Sequence, residues 1–235
     1  MGGATEFIEN KIAVGADLAG VDLSDADLRS TDLTDSFLGG AVLSGSDLTH
    51  ALLVGADLRH AICRGTTFTN ANMHHANLWS ADLTDARMED AVLCRTWLGS
   101  AKLNGADLRG VDLGGAWLTA ADLTGAELGA ATMAGTSMTR TCMREANLTG
   151  AFASGVDLRS AILNGATIRA ANLSGAILRG ASLIGADLSL SDLVGADLTG
   201  IQHDHITLDG IRHDDTTRWP EGFIPPPSAG LDDHD

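Results

Sequence analysis

The chain has 235 residues, 44% of them apolar, but only 4% aromatic, with no Tyr and 28 Gly. That is enough apolar material for a core, but the core must be assembled from small and branched side chains used many times over, which excludes an ordinary globule and favours a repeat architecture. The formal charge of −16 excludes nucleic-acid binding by phosphate neutralisation and leaves proteins as the partners to consider.

The first stretch, residues 1–15, reads MGGATEFIENKIAVG. It has no basic segment followed by an apolar one, so no leader is expected, and no apolar run along the chain approaches a membrane span. Cys63, Cys94 and Cys142 are odd in number and fall at no ligand-like spacing, which suits a reducing compartment. The expected location is cytoplasmic. Residues 1–15, with Phe7 and Ile8, are expected to form an N-terminal cap.

From Ala16 to Gly200 the chain repeats every five residues without insertion or deletion. Of the 37 positions from Leu18 to Leu198 whose numbers end in 3 or 8, 28 are Leu; we call this position the centre. Two residues before the centre, 26 of 37 are Ala; one before it, 14 are Asp and four are Asn. Gly is the commonest residue two after it. A period of five suits neither regular element. On a helix it rotates successive Leu by about 500° and leaves no stripe. On a straight strand, being odd, it throws them to opposite faces. The chain must therefore turn every five residues, at the Gly-rich position that tolerates positive φ. Short extended pieces joined by turns wind into a solenoid, with the Leu and Ala inside and their neighbours outside.

These tandem units (ADLRG, VDLGG, ADLTG, ANLSG, ADLSL) resemble the pentapeptide-repeat family over about four-fifths of the chain. The resemblance implies an all-β fold, a right-handed quadrilateral parallel β-helix of 20 residues per coil. On that frame 185 residues make about nine coils and a rod roughly 43 Å long, given the usual spacing between strands. The expected organisation is an N-terminal cap over 1–15, the repeat β-helix over 16–200, a frayed last coil and C-terminal cap over 201–224, and a flexible acidic tail over 225–235. His203 and His213 fall at centres in the frayed part, and Trp219 and Phe223 are expected to fold back as a lid.

Most polar clusters have a structural explanation. The Asp ladders are expected to hydrogen-bond turn backbone or face water rather than act as acid–base pairs. His74 and Cys94 should stack one coil apart, with His75 pointing elsewhere, which is too few ligands for zinc. His203, Asp204, His205, His213, Asp214 and Asp215 read as a capping turn before a metal site. Met133, Met138 and Met143 are centres and should be core. No phosphate loop, nucleophile elbow or paired CxxC occurs. The chain is therefore read as no enzyme, with no cofactor and no metal.

With 20 residues per coil, residues 20 apart share a side. The first side (16–20, 36–40 and so on) has four acids and four bases, and each of the other three carries a net −3. Trp79, Trp97 and Trp117 all fall on the first side in consecutive coils, and Phe37 and Ile177 replace Asp there. Exposed apolar residues on an uncharged side mark a candidate partner or dimer interface. Some family members are DNA-mimicking inhibitors or protectors of DNA gyrase. The most specific expectation is therefore a topoisomerase-interacting protein giving antibiotic resistance or self-protection, its acidic mimic surface being Asp17, Asp22, Asp25, Asp27, Asp32, Asp35, Asp187, Asp192 and Asp197. The alternative is a scaffold or homodimer joined through the Trp-rich side, and the third reading is an enzyme or metal site near the His-rich C-terminus. Duplex DNA of 43 Å carries about 25 charges, against −9 for residues 16–200 here, so the mimicry is diluted. Neither direct nucleic-acid contact nor a membrane is expected.

Overall fold

The computed structural model of the chain describes residues 11–230. Its ladder is made of single-residue parallel bridges, each joining residue i to residue i+20, from Ile12↔Asp32 to Asp192↔Arg212. The strands are thus shorter than the extended pieces expected from the period: one bridged residue per side, then a turn. The cause is local. Every fifth residue from Gly15 to Gly210 has φ between 53° and 70°, the left-handed value that the third position of a type II turn requires. A turn hydrogen bond closes nearly every corner, for example Ala16 N–H to the Ala13 carbonyl at 3.1 Å; at the Ala170 corner Ala171 N–H donates instead to Ser191 Oγ at 3.2 Å.

Half of these corners are not Gly. Asp25, His50, Arg95, Ala120 and Leu190 are among those that hold positive φ, a conformation that costs an ordinary residue about 1–2 kcal/mol. Inter-coil bonding holds them there: the His50 N–H donates to the Thr69 carbonyl at 3.1 Å and the Asp25 N–H to the Ser44 carbonyl at 3.0 Å. The period, not glycine itself, sets the turn.

The centres fill the interior. All 28 Leu centres are buried, as are Met133, Met138 and Met143 and all the Ala two residues before a centre except Ala16 and Ala26. Six of the eight hydroxyls that replace Ala bond to centre carbonyls, as Thr66 Oγ1 does to Leu43 O at 2.6 Å and Thr136 Oγ1 to Leu113 O at 2.8 Å, whereas Thr31 Oγ1 and Ser36 Oγ are buried without a partner. Cys63 is a wholly buried centre, and burial pushes its thiol up to about 12. Iodoacetamide at pH 8 should therefore leave Cys63 unmodified in the folded protein and alkylate it once urea unfolds the chain. Peptide mass spectrometry checks this, and prompt labelling of Cys63 in the native protein would refute the packing.

Both ends differ from expectation. Repeat geometry starts before Ala16: Ile12 bridges Asp32 and Ala13 is buried. Phe7 and Ile8 lie outside the described residues. At the C-terminus the pairing continues through Gln202, Thr207 and Arg212, then slips by one residue, so that Asp197 bridges Arg218. The extra residue falls in His213-Asp214-Asp215, where Asp214 Oδ1 accepts from the Thr216 N–H at 2.9 Å. Thr217 then takes the inward place, bonded to Leu193 O at 3.0 Å.

The aromatic lid forms as the sequence suggests. Trp219 stacks on Phe223 at 5.2 Å, and His213 and His203 pack edge-on against them at 5.4 and 5.0 Å. Residues 225–230, expected as flexible tail, cross the open end instead. Ala229 N–H donates to Ile211 O at 2.7 Å, and Ser228 Oγ both accepts from His213 N–H at 2.9 Å and donates to His213 O at 2.8 Å. The last coil has no coil beyond it, so its backbone groups take partners from the returning chain. Residues 231–235 lie outside the described residues.

Candidate functional site

Within the stack, a typical repeat uses four of its five backbone N–H groups. In the repeat around Leu38, Ser36 N–H closes the turn on Leu33 O, while Phe37, Leu38 and Gly40 N–H all bond to neighbouring coils. The N–H just after the centre remains. Wherever Asp or Asn precedes the centre, its Oδ1 accepts that bond, as Asp57 does from Arg59 N–H at 3.1 Å, Asp112 from Gly114 at 2.9 Å and Asn172 from Ser174 at 3.0 Å. The Asp ladder is thus a set of turn caps.

Trp97 and Trp117 occupy this capping place, and neither the Gly99 nor the Thr119 N–H has a hydrogen-bond partner among the described residues. A bond of this kind is worth about 0.5–1.5 kcal/mol. The chain gives up two of them on adjacent coils and exposes two indoles there.

The three tryptophans converge. Trp97 and Trp117 are bridged directly and meet edge-on with centroids 6.1 Å apart at 82°. Trp79, from the coil before, lies over Gly99, where a Cβ would come within 2.2 Å of its ring; only Gly fits beneath it. Together with Thr119 they line an open apolar trough of about 410 Å³. The indoles remain 46%, 53% and 47% exposed for Trp79, Trp97 and Trp117. Phe37 is on the same ladder and exposed, and Ile177 is half-buried, but each stands three coils away from the Trp97–Trp117 pair. The structure brings the tryptophans together and leaves Phe37 and Ile177 apart. Gly99 and Thr119 carry no chemistry of their own. The signal for Gly99 was its place 20 residues after Trp79.

The acidic candidates do not form one strip. Asp17, Asp22, Asp27 and Asp32 belong to four different ladders, so they wind around the rod. Asp25 and Asp35 sit at corners with φ near 55°. Near the other end, Arg169 pairs with Asp187 and Arg212 with Asp192, both at 2.9 Å, while Arg179 and Arg218 each approach Asp197 at 3.8 Å. Hydrogen bonds from the arginines two residues on hold Asp57, Asp107 and Asp157 below the usual carboxylate range, and Ser189 does the same for Asp187. Such carboxylates are ionised at neutral pH and committed to partners, which makes them poor proton donors.

The remaining clusters are structural. His74 and His75 touch edge-on at 4.2 Å, so His75 does not point away as expected. Burial, then a hydrogen bond with Asp112, pushes the Cys94 thiol up to about 11. His213 is held by Pro226 O at 2.9 Å as part of the lid. Among the described residues no three His, Cys, Asp or Glu side chains gather as a metal would need, and no helix is long and apolar enough to cross a membrane.

Comparison with known proteins agrees with this architecture. A family model for pentapeptide repeats matches in eight copies, across 14–49, 51–90, 86–125, 121–160 and 161–200. No curated protein matches the chain. Among solved structures, it is similar to HetL, a pentapeptide-repeat protein involved in heterocyst differentiation regulation in the cyanobacterium Nostoc sp. strain PCC 7120, with 29% identity, a TM-score of 0.57, and coverage of 87% of this chain and 91% of that one. It also matches Rfr23, a pentapeptide-repeat protein of the cyanobacterium Cyanothece 51142, at 30% identity over 46% of this chain and 63% of that one, with a TM-score of 0.31. Full-length QnrB1, a plasmid-mediated fluoroquinolone resistance protein, matches at 19% identity over 87% of this chain and 93% of that one, with a TM-score of 0.32. With the family model covering most of the chain and the 20-residue parallel ladder beneath it, the protein belongs to the pentapeptide-repeat family, whose members fold as right-handed β-helices.

Proposed function

We propose that the chain is a non-catalytic, four-sided rod of about nine coils that works by binding a protein partner through its tryptophan side. The reading is carried by two indoles that displace turn-capping carboxylates on adjacent coils and stay half exposed beside a third. Large aromatics on a side without net charge are the usual anchors of protein interfaces. Photo-crosslinking tests it: a benzophenone side chain at Thr119 should capture a protein in cells, while one at Ile62, exposed on another side, should not. Equal capture from both positions, or from neither, removes the reading.

The narrower reading is a DNA mimic that engages DNA gyrase or another type II topoisomerase and gives drug resistance or self-protection. The acidic composition and the rod length favour it. The distribution of the acids around four ladders and the arginines beside Asp187, Asp192 and Asp197 weaken the field that any one side can present. A supercoiling assay with and without a quinolone decides: inhibition of gyrase, or its rescue from the drug, supports the mimic, and no effect at micromolar protein eliminates it.

A further inference from the structure

The tryptophan side carries two columns of outward side chains, one residue before and one after each centre, and in six of its ten coils these columns complement each other. Large stands beside small: Phe37 beside Gly39, Trp97 beside Gly99, Trp117 beside Thr119. One coil earlier the order reverses, with Asn77 beside Trp79. Acid stands beside base: Asp57 and Asp157 are paired with Arg59 and Arg159, each at 2.6 Å, two coils to either side of the Trp97–Trp117 pair.

A half-turn about an axis running along this side, parallel to the rod, lays the first column of one molecule on the second column of another. We propose that the tryptophan side is an isologous interface between two copies of this chain, lying parallel and related by that two-fold axis. In this arrangement Trp117 of each copy enters the trough over Thr119 of the other, and Trp97 stacks on the outer face of the other's Trp79. Asp57 meets Arg59 across the axis, and Asp157 meets Arg159, so the two intramolecular pairs become two four-membered networks. An interface of this kind must be self-complementary in shape and charge, and the two columns are.

Charge argues for the same choice. This side is neutral, whereas each of the other three carries a net −3 and would repel its own copy. The antiparallel alternative, a half-turn across the rod between Trp97 and Trp117, sets Asp57 on Asp157 and Arg59 on Arg159, like on like. Area is sufficient. The chain exposes 10577 Å², so one side of four offers roughly 2,600 Å², and covering about a third of it reaches the ~800 Å² per partner typical of a stable pair.

The inference rests on the tryptophan side being a contact surface and narrows its partner to a second copy. Sedimentation equilibrium should give twice the chain mass at micromolar concentration. Thr119→Trp, which fills the trough, and Trp97→Asp with Trp117→Asp should each weaken the dimer by about 100-fold or more, with far-UV circular dichroism unchanged. A parent chain that stays monomeric at hundreds of micromolar overturns the proposal, as does a dimer that both variants leave intact. Orientation is read by disulfide trapping. Mixing Ser137→Cys with Thr139→Cys chains should give a cross-linked pair well above the unsubstituted chain, whereas cross-linking confined to Ser137→Cys with Asn77→Cys would indicate the antiparallel pair and overturn this one. If the benzophenone at Thr119 captures only a different protein, the dimer fails while the binding-rod reading stands.

Discussion

Leu108→Ala should lower the thermal midpoint by about 5–20 °C and broaden the transition. Leu108 is 1% exposed in a stack with Met88 and Leu128, both fully buried. Removing three carbons from such a place leaves a cavity, and a cavity of this kind costs about 2.7–5 kcal/mol. The site has little room to collapse, because the coils above and below are held at fixed spacing by their backbone bonds, including Leu108 N–H to Glu127 O at 2.7 Å. For a chain of this length each kcal/mol shifts the midpoint by about 2–4 °C. The broadening comes from the one-dimensional architecture: each coil is stabilised by its neighbours, so a defect at mid-rod weakens the coupling between the two halves. Circular-dichroism melts check both effects, and a shift under about 2 °C would mean that the centre stack is not the core.

Acidification should destabilise the rod steeply below about pH 4 and scarcely at all between pH 7 and 5. Asp57, Asp107 and Asp157 are held below the usual carboxylate range first by side-chain bonds from Arg59, Arg109 and Arg159, and Asp22 and Asp187 by Ser24 and Ser189. A carboxyl whose folded value is depressed stabilises the fold above its unfolded value, near 4, and that contribution is lost as the pH falls through the folded value. Protonation also relieves self-repulsion in a chain of net charge −16, but salt at 0.15 M screens that effect to within about 8 Å. The turn bonds are shorter-ranged and lose an ionised acceptor outright. Asp107→Asn should melt less acid-sensitively than the parent, since Asn caps the same N–H at Asn72, Asn77, Asn147 and Asn172 without ionising. Equal midpoints at pH 3 and pH 7 would show that the caps contribute little to stability.

Much of the site was readable from the period. Once residues 20 apart share a side, Trp79, Trp97 and Trp117 must be neighbours, and half-exposed indoles result from their places beside the centres. The same reasoning overreached for Phe37 and Ile177: sharing a ladder is not sharing a contact, and two intervening coils separate each from the tryptophan pair. It also grouped six N-terminal acids by their proximity in sequence, although each five-residue step moves to a new side and spreads the six over all four.

The sequence by itself determined the interior and the turn frequency: a five-residue pattern of Leu and Ala with one corner per unit puts the same side chains inside at every step. The four sides came with the resemblance to the pentapeptide-repeat family, and the ladder joining residues 20 apart agrees with them. Only the tertiary structure decided the rest. It placed the Trp79 ring against Gly99, where a larger residue on the next coil would leave no room for it. It gave non-glycine corners the same positive φ as glycine, because bonds between coils outweigh local preference. It let one extra residue into the last coil and drew 225–230 across the end, because there the stacking that enforces the period has run out and unpaired backbone takes whatever partner the chain can reach.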